Sequence, residues 1–224
     1  MRSMKITKSE SKSTVLQWSS DLAYAVGLLV TDGSLSKDGR HIVFVSKDHE
    51  QLTNFSRALG RRQLPIDKTR SGYTGQYVPR IQFSDVSLYR FLLGIGLMPN
   101  KTKTIGKILM PEEYFFDFLR GHHDGDGYFY SYFDPRWPSS FMYYLSFVSS
   151  SKRHIDWIRF QLNESLGVCG HITQDQKKTV YNLKYGKKEG LEILKRMYHE
   201  EAAICLSRKK LKIIEALGKI EQCL

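Results

Sequence analysis

The chain has 224 residues, 41% hydrophobic and 12% aromatic, and Lys plus Arg exceed Asp plus Glu by 34 to 23 for a net charge of +11. That composition excludes a disordered chain, allows one large domain or two small ones around a real core, and directs the basic surplus at a polyanion, most commonly nucleic acid. No apolar run reaches the ~18 residues of a membrane span, and Cys169, Cys205 and Cys223 form no CxxC pair, so neither a zinc knuckle nor a disulfide framework is indicated and an intracellular setting is expected.

Residues 1–20 read as a polar arm, "MRSMKITKSESKS", whose charges have no apolar core behind them as a secretory signal would. Tyr24 to Thr31 is almost wholly apolar and predicts a buried helix that ends at Asp32-Gly33. "IVFVSK" is β-rich, and the helical pattern after it ends at Leu59-Gly60, where glycine suits a helix C-cap. A polar turn, "DKTRSGYTGQ", carries Lys68 and Arg70. "YVPRIQFSD" then alternates with the strand period, so Ile81 and Phe83 point one way and Arg80 and Gln82 the other. "SLYRFLLGIGL" is helical and leads to the lysine-bearing "MPNKTKTIGK".

Near Pro111 the pattern restarts. "MPEEYFFDFLRG" opens a helix with proline and two acids in its first turn. The apolar run again ends in Asp-Gly, with Asp126 standing 94 positions after Asp32. An insert, "SYFDPRWPSS" from Ser131 to Ser140, has two prolines and predicts a loop. A second β-rich run and a helix ending at Leu166-Gly167 follow. Next come a polar turn with Lys177 and Lys178 and the strand "TVYNLKYGK", which separates Tyr181, Leu183 and Tyr185 from Asn182 and Lys184. Two helical patterns close the chain, the last beginning "SRKKLK". Each half therefore reads helix, strand, strand, helix, strand, strand, helix, helix. The expected organisation is a mixed α+β tandem duplication with halves at 21–110 and 111–224.

Small residues recur four apart in both apolar helices, Gly27 with Thr31 and Gly121 with Gly125, and positions four apart share a helix face. Two such faces permit close approach. Asp32 and Asp126 would then meet at one end, repelling each other and the negative ends of both helix dipoles. A divalent cation relieves that repulsion, and oxygen-only ligands suit Mg²⁺. Other motifs fail on inspection. "DGDG" lacks the third acid of a calcium loop because Tyr128 stands there, and "GLMPNKT" lacks the second glycine of a phosphate loop because Asn100 precedes Lys101. His122 and His123 have no Cys/His cluster to join for zinc.

"AVGLLVTDG" (Ala25–Gly33) and "LRGHHDGDG" (Leu119–Gly127) resemble the two motifs of single-chain LAGLIDADG homing endonucleases, and the resemblance runs from about Asp21 to Leu224. It implies a pseudo-twofold αββαββα repeat whose two antiparallel sheets form a saddle over DNA. It also implies a monomer, away from membranes and with its host DNA, that cuts both strands of a long, specific duplex site and leaves 3′ overhangs. The cofactor implied is Mg²⁺, two or more divalent ions shared with DNA phosphates.

By position, the metal-binding acids are Asp32 and Asp126, and Thr31 and Gly125 lend backbone carbonyls. The family's late lysines fall at Lys101 and Lys209, with Lys103 and Lys210 one register away. Ser46, Lys47 and Ser149 align with polar positions flanking the site. Arg80, Gln82, Asn182 and Lys184 are the expected base readers, since these residue types read base edges in the major groove. Lys68, Arg70, Lys177 and Lys178 are the expected phosphate or flanking-base contacts. Two departures stand out: Val30 replaces the sixth-position acid that Asp124 supplies in the second motif, and His122 and His123 occupy positions the family fills with apolar residues. The alternative function is a non-cleaving relative, an intron RNA maturase or a DNA-binding regulator.

Overall fold

The structure is a computed structural model, and it describes residues 16–70, 74–175 and 179–221. The first apolar run forms α1 (Ser20–Asp32), with the Ser19 hydroxyl capping it by accepting from the Leu22 amide at 3.1 Å. Every residue from Leu22 to Val30 is buried, which is why the run carries no polar face. Then follow β1 (Gly33–Leu35), β2 (His41–Val45), α2 (His49–Ala58), β3 (Ile66–Arg70), β4 (Tyr77–Ser84) and α3 (Val86–Gly94). Asp48 and Asp85 cap α2 and α3 through their side chains.

The second half repeats this as α4 (Phe115–Gly125), β5 (Tyr128–Asp134), β6 (Trp137–Ser149), α5 (Lys152–Leu166), β7 (His171–Asp175), β8 (Val180–Tyr185) and α6 (Lys187–Met197), and ends in α7 (Ser207–Glu221). The two four-stranded antiparallel sheets have one order, β1-β2-β4-β3 and β5-β6-β8-β7. A single hydrophobic core runs through both halves, with Ile42, Phe44, Ile81 and Leu183 from the sheets in one cluster with residues of both motif helices.

Helices α1 and α4 meet backbone to backbone. A Cβ on Gly27 would lie 2.2 Å from the Phe118 carbonyl oxygen, and one on Gly121 would lie 2.1 Å from that of Tyr24. The small-residue faces expected from the sequence are therefore the contact itself.

Three expectations are corrected. The final helix of the first half is only a 3-10 turn at Lys101–Lys103, entered through Asn100 in the left-handed region (φ 59°). Thr102, Thr104, Gly106 and Pro111 are poor helix formers, and residues 105–111 continue without helix. The insert Ser131–Ser140 is not a loop but the outer part of the β5–β6 hairpin, turning at Pro135-Arg136. Its second proline, Pro138, lies in the register shift of the hairpin, beyond the part of β6 that pairs with β8, so the missing amide breaks no inner ladder. Lys68 and Arg70 are likewise in a strand, β3, not in a turn. At the half boundary, Glu112–Tyr114 form a 3-10 turn ahead of α4.

Candidate active site

The C-termini of α1 and α4 lie side by side. A Cβ on Gly125 would meet the Thr31 hydroxyl at 1.9 Å and the Asp32 Oδ2 at 3.1 Å, so the second motif needs glycine where the first has threonine. The Thr31 hydroxyl itself donates back to the Leu28 carbonyl at 2.9 Å. Burial pushes the Asp32 carboxyl up to about 7, helped by the charge of Asp126, while Lys101 and Lys209 pull it down. Desolvation also raises Asp126, at the solvent-open rim of the cleft, against the same two lysines. Both lysines are shifted down to about 8 by burial.

The lysines occupy pseudo-equivalent places. Lys101 Nζ donates to the Gly33 carbonyl at 2.7 Å, and Lys209 Nζ donates to the matching Gly127 carbonyl at 2.7 Å. Lys209 also reaches the carbonyls of His123 and Asp124, at 2.5 and 2.9 Å, and lies 3.4 Å from that of Gly125. It thus caps the negative end of α4. Lys103 is exposed, and Lys210 turns away to the Glu201 carbonyl. Lys101 and Lys209, rather than their neighbours, are the lysines at the paired acids.

What brings Lys209 there is a network that pattern reading did not find. Asp124 Oδ2 accepts from the Tyr24 hydroxyl of α1 at 2.8 Å and from the Leu206 amide at 2.7 Å. Arg120, fully buried, donates to the Met197 and Ile204 carbonyls. Together they fasten the segment between α6 and α7 to α4, one turn ahead of Lys209. Ser46 joins this network indirectly: its hydroxyl donates to Gln51, whose amide donates to the Asp124 carbonyl at 3.1 Å. Lys47 is exposed, and Ser149 accepts from the Ser151 amide.

His122 and His123 face the core, not the acids. His122 packs on Phe118, Phe147 and His154, and neither of its ring nitrogens has a partner. Burial holds His122 well below the usual imidazole range, His123 at about 3 and His154 at about 4. Unfolding therefore takes up protons below the ordinary value of 6.5, and stability falls as pH falls through that range. His122→Leu, which fills the same space without polar atoms, should flatten this acid limb. Its advantage over wild type should grow by up to ~1.4 kcal/mol per pH unit below ~6.5. Thermal melts at pH 8 and pH 5 check this, and equal shifts at both would refute it.

On the sheets, Gln82 and Arg80 lie on the face away from the core. The Arg80 guanidinium is already engaged, with two bonds of 2.8 Å to Asp67 across the β3–β4 ladder. Asn182 and Lys184 are on the outer face of β8, opposite the buried Leu183 and Tyr185. Lys68 and Arg70 pair with Pro79 and Tyr77, which places them on the side of Ile81, opposite Arg80 and Gln82. Arg70 donates to the Gly75 carbonyl. Lys177 and Lys178 lie outside the described residues. No helix among the described residues is long and apolar enough to cross a membrane, and none of their His, Cys, Asp and Glu side chains gather in groups of three or more that could hold a metal.

Most of the chain matches the fold of solved structures. The meganuclease I-SmaMI bound to uncleaveable DNA matches at TM-score 0.61 and 14% identity, covering 90% of each chain. The fold is that of the LAGLIDADG homing endonucleases. A variant of I-DmoI in complex with its target DNA in the presence of Mg shares the LAGLIDADG fold at TM-score 0.51 and 18% identity, over 83% of this chain and 95% of that one. So does the N-terminal LAGLIDADG domain of DUF199/WhiA, at TM-score 0.52 and 17% identity, over 83% and 85%. No family model matches the chain, and no curated protein does.

Proposed function

We propose that the chain is a monomeric, site-specific endonuclease that hydrolyses both strands of a long DNA duplex with divalent metal, leaving 3′ overhangs. The observation that carries this reading is the convergence of Asp32, Asp126, Lys101 and Lys209 where the two motif helices end, between two sheets of identical order. The donor set fits hard cations: two carboxylates, the carbonyls of Thr31 and Gly125, and no thiolate or imidazole. With only two acids, the protein leaves most of each ion's coordination sphere to water and phosphate oxygens. Such ions, when bound, supply Lewis-acid stabilisation of phosphoryl charge and a nucleophile at neutral pH.

The chain's own residues do the rest. Asp32 and Asp126 hold negative charge at the helix ends. Lys101 and Lys209 place buried positive charge beside them, where charge develops on the phosphate. Gln82, Arg80, Asn182 and Lys184 present donors and acceptors to base edges. Arg80 must exchange Asp67 for a base or keep it as a fixed partner. The halves 21–110 and 111–224 each take one side of the target, and the protein works inside the cell with its host DNA.

The test begins with duplexes selected from a random library by binding to the full chain. Incubation with Mg²⁺ should cut them on both strands at offset positions, and EDTA should abolish cutting. Tight, specific binding without cutting in Mg²⁺ would instead favour the DNA-binding regulator, and a preference for structured RNA the maturase. Lys101→Met and Lys209→Met should each slow single-turnover cleavage by ~10²-fold or more. Lys103→Met and Lys210→Met should cleave at the wild-type rate, and if they are the defective pair, the lysine assignment is wrong.

A further inference from the structure

The two hairpins that begin at the acids are unequal. In the first half β1 has three residues and β2 five; in the second, β5 has seven and β6 thirteen. Only Leu145 to Ser149 of β6 pair with β8, so the rest of the hairpin projects as a two-stranded ribbon. On its core side lie Phe129, Phe141, Tyr143 and Leu145. On the other side, the side of Asn182 and Lys184, lie Tyr128, Tyr130 and Tyr132 of β5 and Met142, Tyr144 and Ser146 of β6.

The four tyrosines form a ladder. Ring centroids are 6.0 Å apart for Tyr128 and Tyr130, 6.2 Å for Tyr130 and Tyr132, 5.2 Å for Tyr130 and Tyr144, and 6.5 Å for Tyr132 and Tyr144. The rings stack on one another at interplanar angles of 6° to 29°, so they form one continuous aromatic array on this face. From Tyr128 to Tyr132 this face of the ribbon carries no charged side chain, although the chain as a whole is +11; the charges nearest Tyr132, Asp134 and Arg136 at the tip, pair with each other at 3.0 Å. Phosphates are held mainly by cations, so such a face is poorly suited to the DNA backbone. It is well suited to the floor of a major groove, which admits a β-ribbon and where thymine alone presents a methyl group.

We propose that, with the β5–β6 ribbon in the major groove, its tyrosine–methionine face packs on thymine methyls, making the stretch of one half-site that it covers A·T-rich. This rests on the duplex-binding reading above. Tyr132 stands four residue steps along the strand from Tyr128, which at ~3.3 Å per step spans ~13 Å, or about four base pairs. Because Tyr128 follows Asp126 by two positions, that window begins close to the cutting centre and runs outward on the side of the second sheet. The first half has no equivalent surface: its outward β1–β2 residues are Ser34, His41, Val43 and Val45.

The experiment uses the full chain and duplexes it selects from a random library. The expected result is a run of about four A·T-preferring pairs in one half-site only. Replacing dT by dU within that run removes only methyl groups, and each methyl lost should weaken binding about threefold to fourfold, as burial of one carbon predicts. The same replacement in the other half-site should change nothing. Tyr132→Ser and Tyr130→Ala should erase both the preference and the dU effect while leaving the salt dependence of binding unchanged. Tyr130→Phe should keep both. Melting temperatures establish that each variant is folded, and Tyr132, 40% exposed, is the variant least able to disturb the fold. A selected site with no A·T run, an absent dU effect, or a shallower salt slope in the tyrosine variants would overturn the proposal while leaving duplex binding intact. Failure of the wild type to select any duplex would overturn both it and the function it rests on.

Discussion

Asp126→Asn and Asp32→Asn should each abolish cleavage of a bound duplex, by ~10²–10³-fold or more in single-turnover rate, and leave specific binding within a few-fold of wild type. The two acids sit at the ends of the paired helices, whereas in the proposed function the outward groups of the sheets supply affinity. Stability should barely move, by about 3 °C or less, because two effects oppose. Ionised Asp32 is destabilised: its folded value near 7 lies above the ordinary 3.8, so its contribution to stability is fully present below 3.8 and is lost as pH rises from about 4 to 7. Removing that carboxylate relieves this cost. It also leaves Lys101 and Lys209, both lowered by burial to about 8, with one counter-charge instead of two. Gel shifts, a timed cleavage assay in Mg²⁺ and melts on the same preparations separate these readouts. An Asn variant that cuts at the wild-type rate would dismiss the acids as the reaction centre. One that loses binding and cutting together would make them structural.

The paired helices were legible because close packing leaves a local mark: glycine or threonine four apart, then Asp-Gly, twice on one chain. The acids followed from that symmetry. The choice between Lys101 and Lys103, or Lys209 and Lys210, was not legible, because it depends on how a 3-10 turn and the first turn of α7 are rotated. Burial decides it: Lys101 is 5% exposed and bonded to Gly33, while its neighbour is free in solvent. The bonds of Tyr24, Gln51 and Arg120 were also out of reach. They span 100, 73 and 84 positions to their partners, and no short pattern encodes such a pairing. Glutamine and arginine are residue types that mostly stay exposed, yet Gln51 and Arg120 are both buried. The prolines of the insert misled for a related reason. A proline excludes an inner strand only where a second neighbour would need its amide, and the ribbon has no second neighbour there.

That asymmetry bears on how a duplicated fold would serve the asymmetric site proposed for it. The centre keeps the twofold: matched acids, matched lysines, matched carbonyls at Gly33 and Gly127. The edges abandon it. Asp124 and Arg120 anchor the α6–α7 segment in the second half, whereas Val30 stands at the sixth motif position of the first, which ends instead in the short turn at Lys101. In the proposed function, chemistry on two antiparallel strands uses the symmetry at the centre, and recognition of a non-palindromic sequence uses its loss further out.

Gly121→Ala should cost both the fold and the chemistry. An added Cβ would stand 2.1 Å from the Tyr24 carbonyl oxygen and 2.9 Å from its carbon, and both are main-chain atoms that no rotamer change can move aside. The helices must separate or slide. Overpacking of this kind costs ~1–3 kcal/mol, and a clash with backbone belongs at the upper end. For a chain of this size ~3 kcal/mol is a fall of roughly 6–12 °C in melting temperature. Separation also moves Asp32 relative to Asp126, and a displacement near 1 Å at a reacting centre can cost ~10²-fold in rate. The control is Gly218→Ala in α7, where nothing lies within 4 Å of the added carbon. There the better helix propensity of alanine should raise stability by up to ~1 kcal/mol and leave cleavage unchanged. Opposite signs for the same chemical change would locate the effect in the helix contact. If Gly121→Ala melted and cut like wild type, the backbone-to-backbone meeting of α1 and α4 would be wrong, and with it the reason the two acids share one site.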